Sequence, residues 1–298
     1  MSTESAGKRT RAFLKIEDGC ENYCAYCIIP TARGPVRSKS FEKLREELIA
    51  LAQNGHKEVV LAGINLSAYG KGTEHRLIDA IELACSIDGI ERVRLGSLEP
   101  DLITPEVVAR MARQPKLCPQ FHLSLQSGSD TVLKRMNRHY DSAQYFSVVQ
   151  EIRRSFENPA LTTDIMVGFP GETNEEFIES IEFAKKVGFA KMHVFAYSQR
   201  SGTRAAKMDN QVPQHIKKER SHALIAVETA LRQQFMQNMV GTTQTILVEE
   251  RTKSGAQVGY TMNYTPVQLH ETTDFHGQLV KVLITSATGD SCDGILLP

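Results

Sequence analysis

The sequence predicts an α/β protein in which a parallel sheet with right-handed crossovers, either an open sheet or a partial barrel, is followed by a small all-β barrel. Three observations predict it. From residue 12 to about 197, six short apolar, β-rich runs alternate with longer helical stretches. The segment 214–238 carries few turn residues and reads as a connecting helix. Beyond Gly241 the texture changes to five short β-rich runs in about 60 residues, which suggests a small barrel of the oligonucleotide-binding kind.

The elements follow in order. The six runs are 12–17 (AFLKIE), 58–63 (EVVLAG), 91–97 (ERVRLGS), 120–125 (QFHLSL), 161–168 (LTTDIMVG) and 190–197 (AKMHVFAY). Between the first two, Leu44, Leu48 and Leu51 recur at helical spacing before Gly55. Thr104-Pro105-Glu106 opens a helix after the third run, because a threonine cap followed by proline satisfies the first turn. Asp141 caps the next helix, and Thr173 with Glu176 forms a capping box for one that Gly188 closes. The terminal runs are 243–250, 257–261, 266–271, 278–285 and 292–297, parted by Ser254-Gly255, Asn263 and Gly289-Asp290.

Composition narrows the class. With 298 residues, 41% hydrophobic and 23% charged, the chain can bury one large core and a small one, which excludes disorder. No run approaches the ~18 to 20 apolar residues that cross a bilayer, and the N-terminus lacks the apolar segment of a secretion signal. No membrane association and a cytoplasmic site are expected. Lys plus Arg is 35 and Asp plus Glu is 35, so a polyanion would have to be gripped by a local patch rather than a global field. Six cysteines are too sparse for a disulfide scaffold, and three fall within eight residues at Cys20, Cys24 and Cys27, which favours reduced thiols binding a metal.

In parallel α/β folds, ligands bind beyond the carboxyl ends of the strands. The loops there are the polar, glycine-rich ones: the cysteine loop, Gly63-Ile64-Asn65, Ser97 to Pro100, Gln126 to Asp130, Phe169 to Glu172 and Ser198 to Thr203. Thiolates suit zinc or iron–sulfur clusters, and no histidine lies close enough in sequence to complete a local zinc site. Three cysteines can hold a four-iron cubane with one iron left open. The other reading is half of a structural zinc site completed by Cys118 or His122.

The C-x3-C-x2-C loop, with Tyr26 just before the last cysteine, resembles the signature of radical S-adenosylmethionine (SAM) enzymes. That resemblance implies that Cys20, Cys24 and Cys27 hold one 4Fe-4S cluster whose open iron chelates SAM, and that electron transfer cleaves SAM to a 5'-deoxyadenosyl radical. The segments 13–20 (FLKIEDGC), 28–34 (IIPTARG), 124–130 (SLQSGSD), 133–138 (LKRMNR) and 164–173 (DIMVGFPGET) resemble the methylthiotransferases within that group. Segments 63–70 (GINLSAYG), 97–100 (SLEP) and 197–203 (YSQRSGT) are most similar to members that methylthiolate N6-threonylcarbamoyladenosine in tRNA. The likeness runs over residues 9–298. It implies a tail at 1–10, a partial (β/α)6 radical SAM core with its connecting helix at 11–238, and a TRAM-like RNA-binding domain at 239–298.

The same resemblance suggests cofactor contacts, each beside a plainer role. Gly63 and Asn65 would approach the SAM amino group, or simply form a turn. Glu99 and Asp164 are carboxylates on apolar strands and need a partner, either SAM or arginines such as Arg94 and Arg135. Gln126 and Ser127 would bind SAM or cap the next helix, and Tyr26 would lie against the cofactor. Arg135 and Arg138, three apart, would share a helical face and either steer an anionic substrate or, the default for arginines, form solvated ion pairs with Asp130 and Asp141.

Residues 259–267 (GYTMNYTPV) resemble the RNA-binding TRAM module. From Met239 onward three basic residues face six acidic ones, so RNA is expected to be held by stacking on Tyr260, Tyr264 and His270 rather than by bulk charge. Basic residues gather instead between Lys8 and Arg45. Implied partners are the tRNA anticodon loop and an external electron donor such as flavodoxin or ferredoxin, with the chain a monomer. Alternatives are methylthiolation of another tRNA adenosine or of a ribosomal-protein aspartate, and a non-catalytic RNA-binding metalloprotein. The family places a further cysteine-bearing domain, which delivers sulfur from a second cluster, ahead of the segment matching Arg9. Here Cys20 is the first cysteine, so the chain is a fragment or takes sulfur from elsewhere.

Overall fold

The computed structural model describes residues 10–298. Most of the basic cluster is included, but Lys8, Arg9 and nearly all of the expected N-terminal tail lie outside the described residues. The chain begins with β1 (Arg11–Lys15) and β2 (Glu17–Asp18), then the cysteine loop, α1 (Ile29–Arg33) and β3 (Arg37–Ser38). There follow α2 (Phe41–Gln53), β4 (Glu58–Ala62), α3 (Leu77–Ser86), β5 (Arg92–Leu95), α4 (Pro105–Ala112), β6 (Gln120–His122), α5 (Asp130–Arg135), α6 (Ser142–Ser155), β7 (Ala160–Val167), α7 (Asn174–Val187) and β8 (Lys191–Ala196).

All six expected strands form. β1 pairs with β4 and β4 with β5, β6 with β7 and β7 with β8, every pair parallel. Parallel bridges Val93–Leu117 and Leu98–Leu123 join the two halves, giving the order β1-β4-β5-β6-β7-β8. No pairing links β1 to β8 among the described residues, so the barrel keeps a lateral seam.

Alternation along each strand sorts the side chains. Ala12 and Leu14, Val59 and Leu61, Val93 and Leu95, Phe121 and Leu123, Leu161 and Ile165, and Met192 all join the outer core beneath the helices. Their neighbours therefore face the lumen: Arg11 and Phe13, Glu58 and Val60, Arg92 and Arg94, His122, Asp164 and His193. The apolar outer layer and the charged lumen residues give period-two alternation, as in Arg92-Val93-Arg94-Leu95, which Phe13 and Val60 interrupt in β1 and β4.

Caps fall where the side chains dictate. Thr104 and Asp141 accept hydrogen bonds from Val107 and Gln144 amides, and Thr173 with Glu176 closes a capping box. The Glu176 carboxylate also takes two bonds from Arg135, at 2.8 and 2.6 Å, and one from Thr131 at 2.6 Å. Arg135 first, then Thr131 and the cap amide, lower its pKa to about 2. A carboxylate depressed from 4.5 to about 2 adds stability that is complete above pH 4.5 and vanishes as pH falls toward 2, amounting to up to about 3 kcal/mol. Arg135→Met should remove most of that contribution at pH 7 and flatten the acid limb. Urea titrations from pH 7 to 3 check this, and an unchanged slope would contradict it.

α8 (Gln214–Gln237) runs from the core into a closed five-stranded barrel of β9 (Thr243–Arg251), β10 (Gln257–Thr261), β11 (Pro266–Leu269), β12 (Leu279–Thr288) and β13 (Ser291–Leu296). Ile246, Val248, Val267, Leu269, Val282, Ile284 and Cys292 fill it, together with Met236 and Met239 from the end of the connector. α8 also grips the core through polar ends: Lys217 Nζ donates to Tyr197 O at 2.9 Å, and Arg220 pairs with Glu172 at 2.7 Å. Gly168 is at φ +71, and a Cβ there would meet Lys217 Cγ at 2.4 Å, so only glycine lets this lysine pass.

The small barrel docks on the amino end of the large one. Glu58, Arg92 and Arg94 open their strands or sit near the opening, with side chains at most 4% exposed. Arg94 Nε donates to Glu58 Oε1 at 2.9 Å, while its Nη1 reaches Met262 O at 3.0 Å. Arg92 donates to the carbonyls of Tyr260, at 2.8 Å, and Thr245. Arg11 pairs with Glu249 at 2.8 Å.

This junction bears on the expected role of two tyrosines. Tyr260 and Tyr264 stack on each other with centroids 4.8 Å apart, and both lie under Arg11, while Arg94 covers Tyr264 at 4.6 Å. Ring faces of both are therefore engaged by the core's arginines, although Tyr264 stays 37% exposed. His270 is the most exposed of the three expected stacking residues, near Asp293.

Candidate functional site

The three cysteines occupy the loop between β2 and α1. That loop is pinned from three sides: Cys20 N to Gly34 O at 3.1 Å, Ala25 N to Met136 O at 2.8 Å, and Ala205 N to Ala25 O at 2.8 Å. β2 and β3, a two-stranded ribbon too short to show any periodicity, hold its entrance. All three thiols are free, Cys24 buried and Cys20 and Cys27 partly so.

Each sulfur accepts a hydrogen bond from a different part of the fold. Asn65 Nδ2 donates to Cys20 at 3.8 Å, Ile29 N to Cys27 at 3.4 Å, and Arg138 Nη1 to Cys24 at 3.1 Å. N–H donors aimed at sulfur stabilise the thiolate that metal binding requires. Against them, burial pushes the Cys20 and Cys27 thiols up. Among the described residues no group of three His, Cys, Asp or Glu is placed to hold a single metal ion. A zinc ion would draw its sulfurs to about 3.8 Å from each other. Cys118 and His122 do not complete such a site. Three soft thiol donors on one loop, each with an N–H at its back, are the donor set that an iron–sulfur cluster takes.

Arg138 is the residue that sequence reasoning missed. α5 has only six residues and ends at Arg135; Asn137 then turns at φ +59, so three-residue spacing does not put Arg135 and Arg138 on one face. Arg135 goes to Glu176, not to Asp130 or Asp141, while Arg138 enters the site with its side chain 3% exposed. It contacts Cys24, the hydroxyl of Tyr26 at 3.4 Å, the hydroxyl of Tyr140 at 3.0 Å and the carboxylate of Glu99. The helix break, legible as Met-Asn-Arg after a short helix, was the only signal.

Glu99 is thus paired, but with Arg138 rather than with Arg94 or Arg135. Burial raises its pKa, and Arg138 opposes that rise. The same arginine lies over the Tyr140 ring at 4.9 Å and donates to the Tyr26 hydroxyl, and burial pushes the Tyr26 phenol up. Asn65 is buried; its amide donates to Glu17 Oε2 at 2.7 Å, and its side-chain Oδ1 has no partner. Gly63 is partly exposed, and a Cβ there would strike Glu17 Oε2 at 2.6 Å, so on that side the glycine makes room for Glu17. Gln126 is held at φ +69 between the backbones of Asp164 and Met166, and its buried Oε1 also lacks a partner. Such strain in a non-glycine persists where the surroundings dictate it, commonly at ligand sites.

Two expected residues sit differently. Ser127 is fully buried, its hydroxyl 3.1 Å from Ser180 on α7 and accepting from Ser129 N at 3.2 Å, so it supports the start of α5. Asp164 is not enclosed in the strand: its side chain is 33% exposed, faces the lumen, and lies 3.5 Å from His122 Nε2 rather than beside an arginine. Cys85, Cys118 and Cys292 are buried apart from the loop.

No described helix is long and apolar enough to cross a membrane. The sequence matches the Radical SAM superfamily over residues 14–184 and the TRAM domain over 237–297. A Bacillus subtilis protein, threonylcarbamoyladenosine tRNA methylthiotransferase MtaB, is 40% identical over 94% of this chain and 63% of its own length. Its Thermotoga maritima namesake is 37% identical over 96% of this chain and 68% of its own. A Clostridium botulinum tRNA-2-methylthio-N(6)-dimethylallyladenosine synthase is 39% identical over 95% and 64%. The chain therefore spans roughly two thirds of the length of these relatives. Among solved structures, the Escherichia coli radical SAM enzyme coproporphyrinogen III oxidase shares the fold at TM-score 0.57 and 14% identity, over 98% of this chain and 73% of its own. The cobalamin-binding methyltransferase TsrM of Kitasatospora setae does so at 0.56 and 13%, over 65% and 35%. Three pinned thiols at the carboxyl mouth of a six-stranded parallel barrel, with these matches along nearly the whole chain, mean that the chain belongs to the radical SAM superfamily, in its methylthiotransferase family.

Proposed function

We propose that this chain is the radical-generating and RNA-binding part of a tRNA methylthiotransferase that converts N6-threonylcarbamoyladenosine beside the anticodon to its 2-methylthio derivative. The observation that carries the chemistry is the convergence of three N–H-supported thiols with the buried Arg138–Glu99 pair. A 4Fe-4S cluster held by Cys20, Cys24 and Cys27, with SAM on its open iron, would supply the one-electron cleavage that yields the radical. A guanidinium and a carboxylate side by side complement the carboxylate and ammonium of an amino-acid moiety such as SAM's. The orphaned oxygens of Asn65 and Gln126 are acceptors for amino or hydroxyl donors, and Asp164 offers another from the lumen wall. Burial around Tyr26 and Tyr140 keeps water from the reacting centre.

The reading assigns the core to 11–238 and the RNA-binding module to 239–298, with a flavodoxin or ferredoxin as electron donor and a monomer working in the cytoplasm. A second substrate has support of its own, because relatives named for dimethylallyladenosine are as similar as those named for threonylcarbamoyladenosine. The three cysteines outside the loop are buried on separate elements, so sulfur is expected to come from outside the described residues. The reconstituted chain with SAM and a reductant should therefore form 5'-deoxyadenosine without 2-methylthio nucleoside. Mass spectrometry of nucleosides from tRNAs bearing either modified adenosine is the check. Absence of 5'-deoxyadenosine would refute the radical reading, and repeated turnover to methylthio product would refute the external sulfur source.

A further inference from the structure

The junction engages ring faces of Tyr260 and Tyr264, and a more exposed aromatic surface lies in the cysteine loop. Tyr23, between Cys20 and Cys24, is 63% exposed, more than any other large hydrophobic side chain among the described residues. Exposure alone says little, but the backbone beneath it is held. Tyr23 sits at φ +50, a conformation costly for an aromatic residue, and its carbonyl accepts from Asn137 Nδ2 at 3.2 Å and Arg204 Nη2 at 3.5 Å. The ring is thus presented outward by a fixed loop at the barrel mouth.

Cations lie on the elements beside it. Arg204 donates to the Tyr23 carbonyl, Arg200 sits on the same loop, its carbonyl accepting from Thr203 N at 3.2 Å, and Arg33 ends α1, which follows the cysteine loop. All three are exposed, and none enters an ion pair among the described residues. An outward-held aromatic face with an arginine on its carbonyl and two further exposed arginines on the neighbouring elements matches a single-stranded nucleic acid, whose bases stack and whose phosphates need counter-charge.

We propose that Tyr23 is the stacking platform for an unpaired base of the substrate RNA loop, with Arg33, Arg200 and Arg204 holding the adjoining phosphates. This rests on the tRNA reading above and names the residues that orient the loop over the cysteine site. The chain has no tryptophan, so Tyr23→Trp would introduce a single fluorophore at the platform. Titrating the full-length variant with an anticodon stem-loop should quench that emission, whereas a blunt duplex of equal length should not. Tyr23→Ala should weaken stem-loop binding roughly five- to a hundred-fold, with Tyr23→Phe close to the parent. Arg200→Gln with Arg204→Gln should lower the salt dependence of binding. Stem-loop binding without quenching, equal quenching by duplex, or an unaffected Tyr23→Ala would overturn the proposal. So would concentration-dependent burial of the tryptophan in the free chain, which would make Tyr23 a protein contact. If the parent chain bound no stem-loop at all, the tRNA reading itself would fall.

Discussion

Cys24→Ala is expected to abolish cluster binding outright, and with it the formation of 5'-deoxyadenosine. The effect should be all-or-none because each thiolate is one of only three protein ligands, and none of the described donors stands ready to replace one. Cys24 is also the sulfur that receives the Arg138 guanidinium at 3.1 Å, so its loss leaves that cation facing a void. The loop should nevertheless keep its path, since Ala25 is tied to Met136 and Ala205 through its own backbone. Iron and sulfide analysis with visible absorbance after anaerobic reconstitution separates loss of the cluster from loss of the fold, which circular dichroism would report. Cys85→Ala, in the outer core, should leave iron content unchanged. A Cys24→Ala chain that still held four irons would refute the ligand assignment.

The second large effect is expected far from the chemistry. Glu58 is fully buried between Arg92, at 3.7 Å, and Arg94, at 2.9 Å. Removing one partner of a buried ionic group strands the others, at a cost of about 3 to 5 kcal/mol. Glu58→Gln should thus lower the melting temperature by on the order of 10 °C. Converting Glu58, Arg92 and Arg94 together to methionine should recover much of the loss, because a matched apolar set leaves no stranded charge. Thermal melts of the two variants against the parent decide it, and a fall of under 2 °C for Glu58→Gln would mean that water reaches the cluster.

Strands and capped helices were legible because their signals are local. Thr173 with Glu176, Thr104 before Pro105, and the six β-rich runs act within a few residues of themselves. The cysteine loop was legible for the same reason, since its three ligands lie within eight positions. What could not be read depends on contacts across the fold. Arg138 is brought to Cys24, 114 residues away, by a helix that stops after six residues. Tyr260 and Tyr264 looked like RNA contacts because aromatic residues on a small barrel stack bases in general. Only the docking of that barrel shows that Arg11 and Arg94 take up ring faces of the pair, with Tyr264 left 37% exposed. Ser127 and Gly63 sat in the right loops, yet a motif cannot tell which of its polar residues faces a ligand and which faces Ser180 or Glu17.

The seam between β1 and β8 gives the terminal module a second office. A sheet that does not close is a strip with two free borders, and each border offers unpaired amides and carbonyls to any passing strand. Here both borders are fastened to one anchor. β1 is tied to β9 through Arg11 and Glu249, while α8 packs along β8 and ends with Met236 inside the small barrel. The module therefore ties both borders to one body, like a clasp, and its removal is expected to let the strip open wider. Cutting the chain before β9 would keep α8 on the β8 border but strip the β1 border of its Glu249 partner, so the strip should loosen on that side and stick to its own copies.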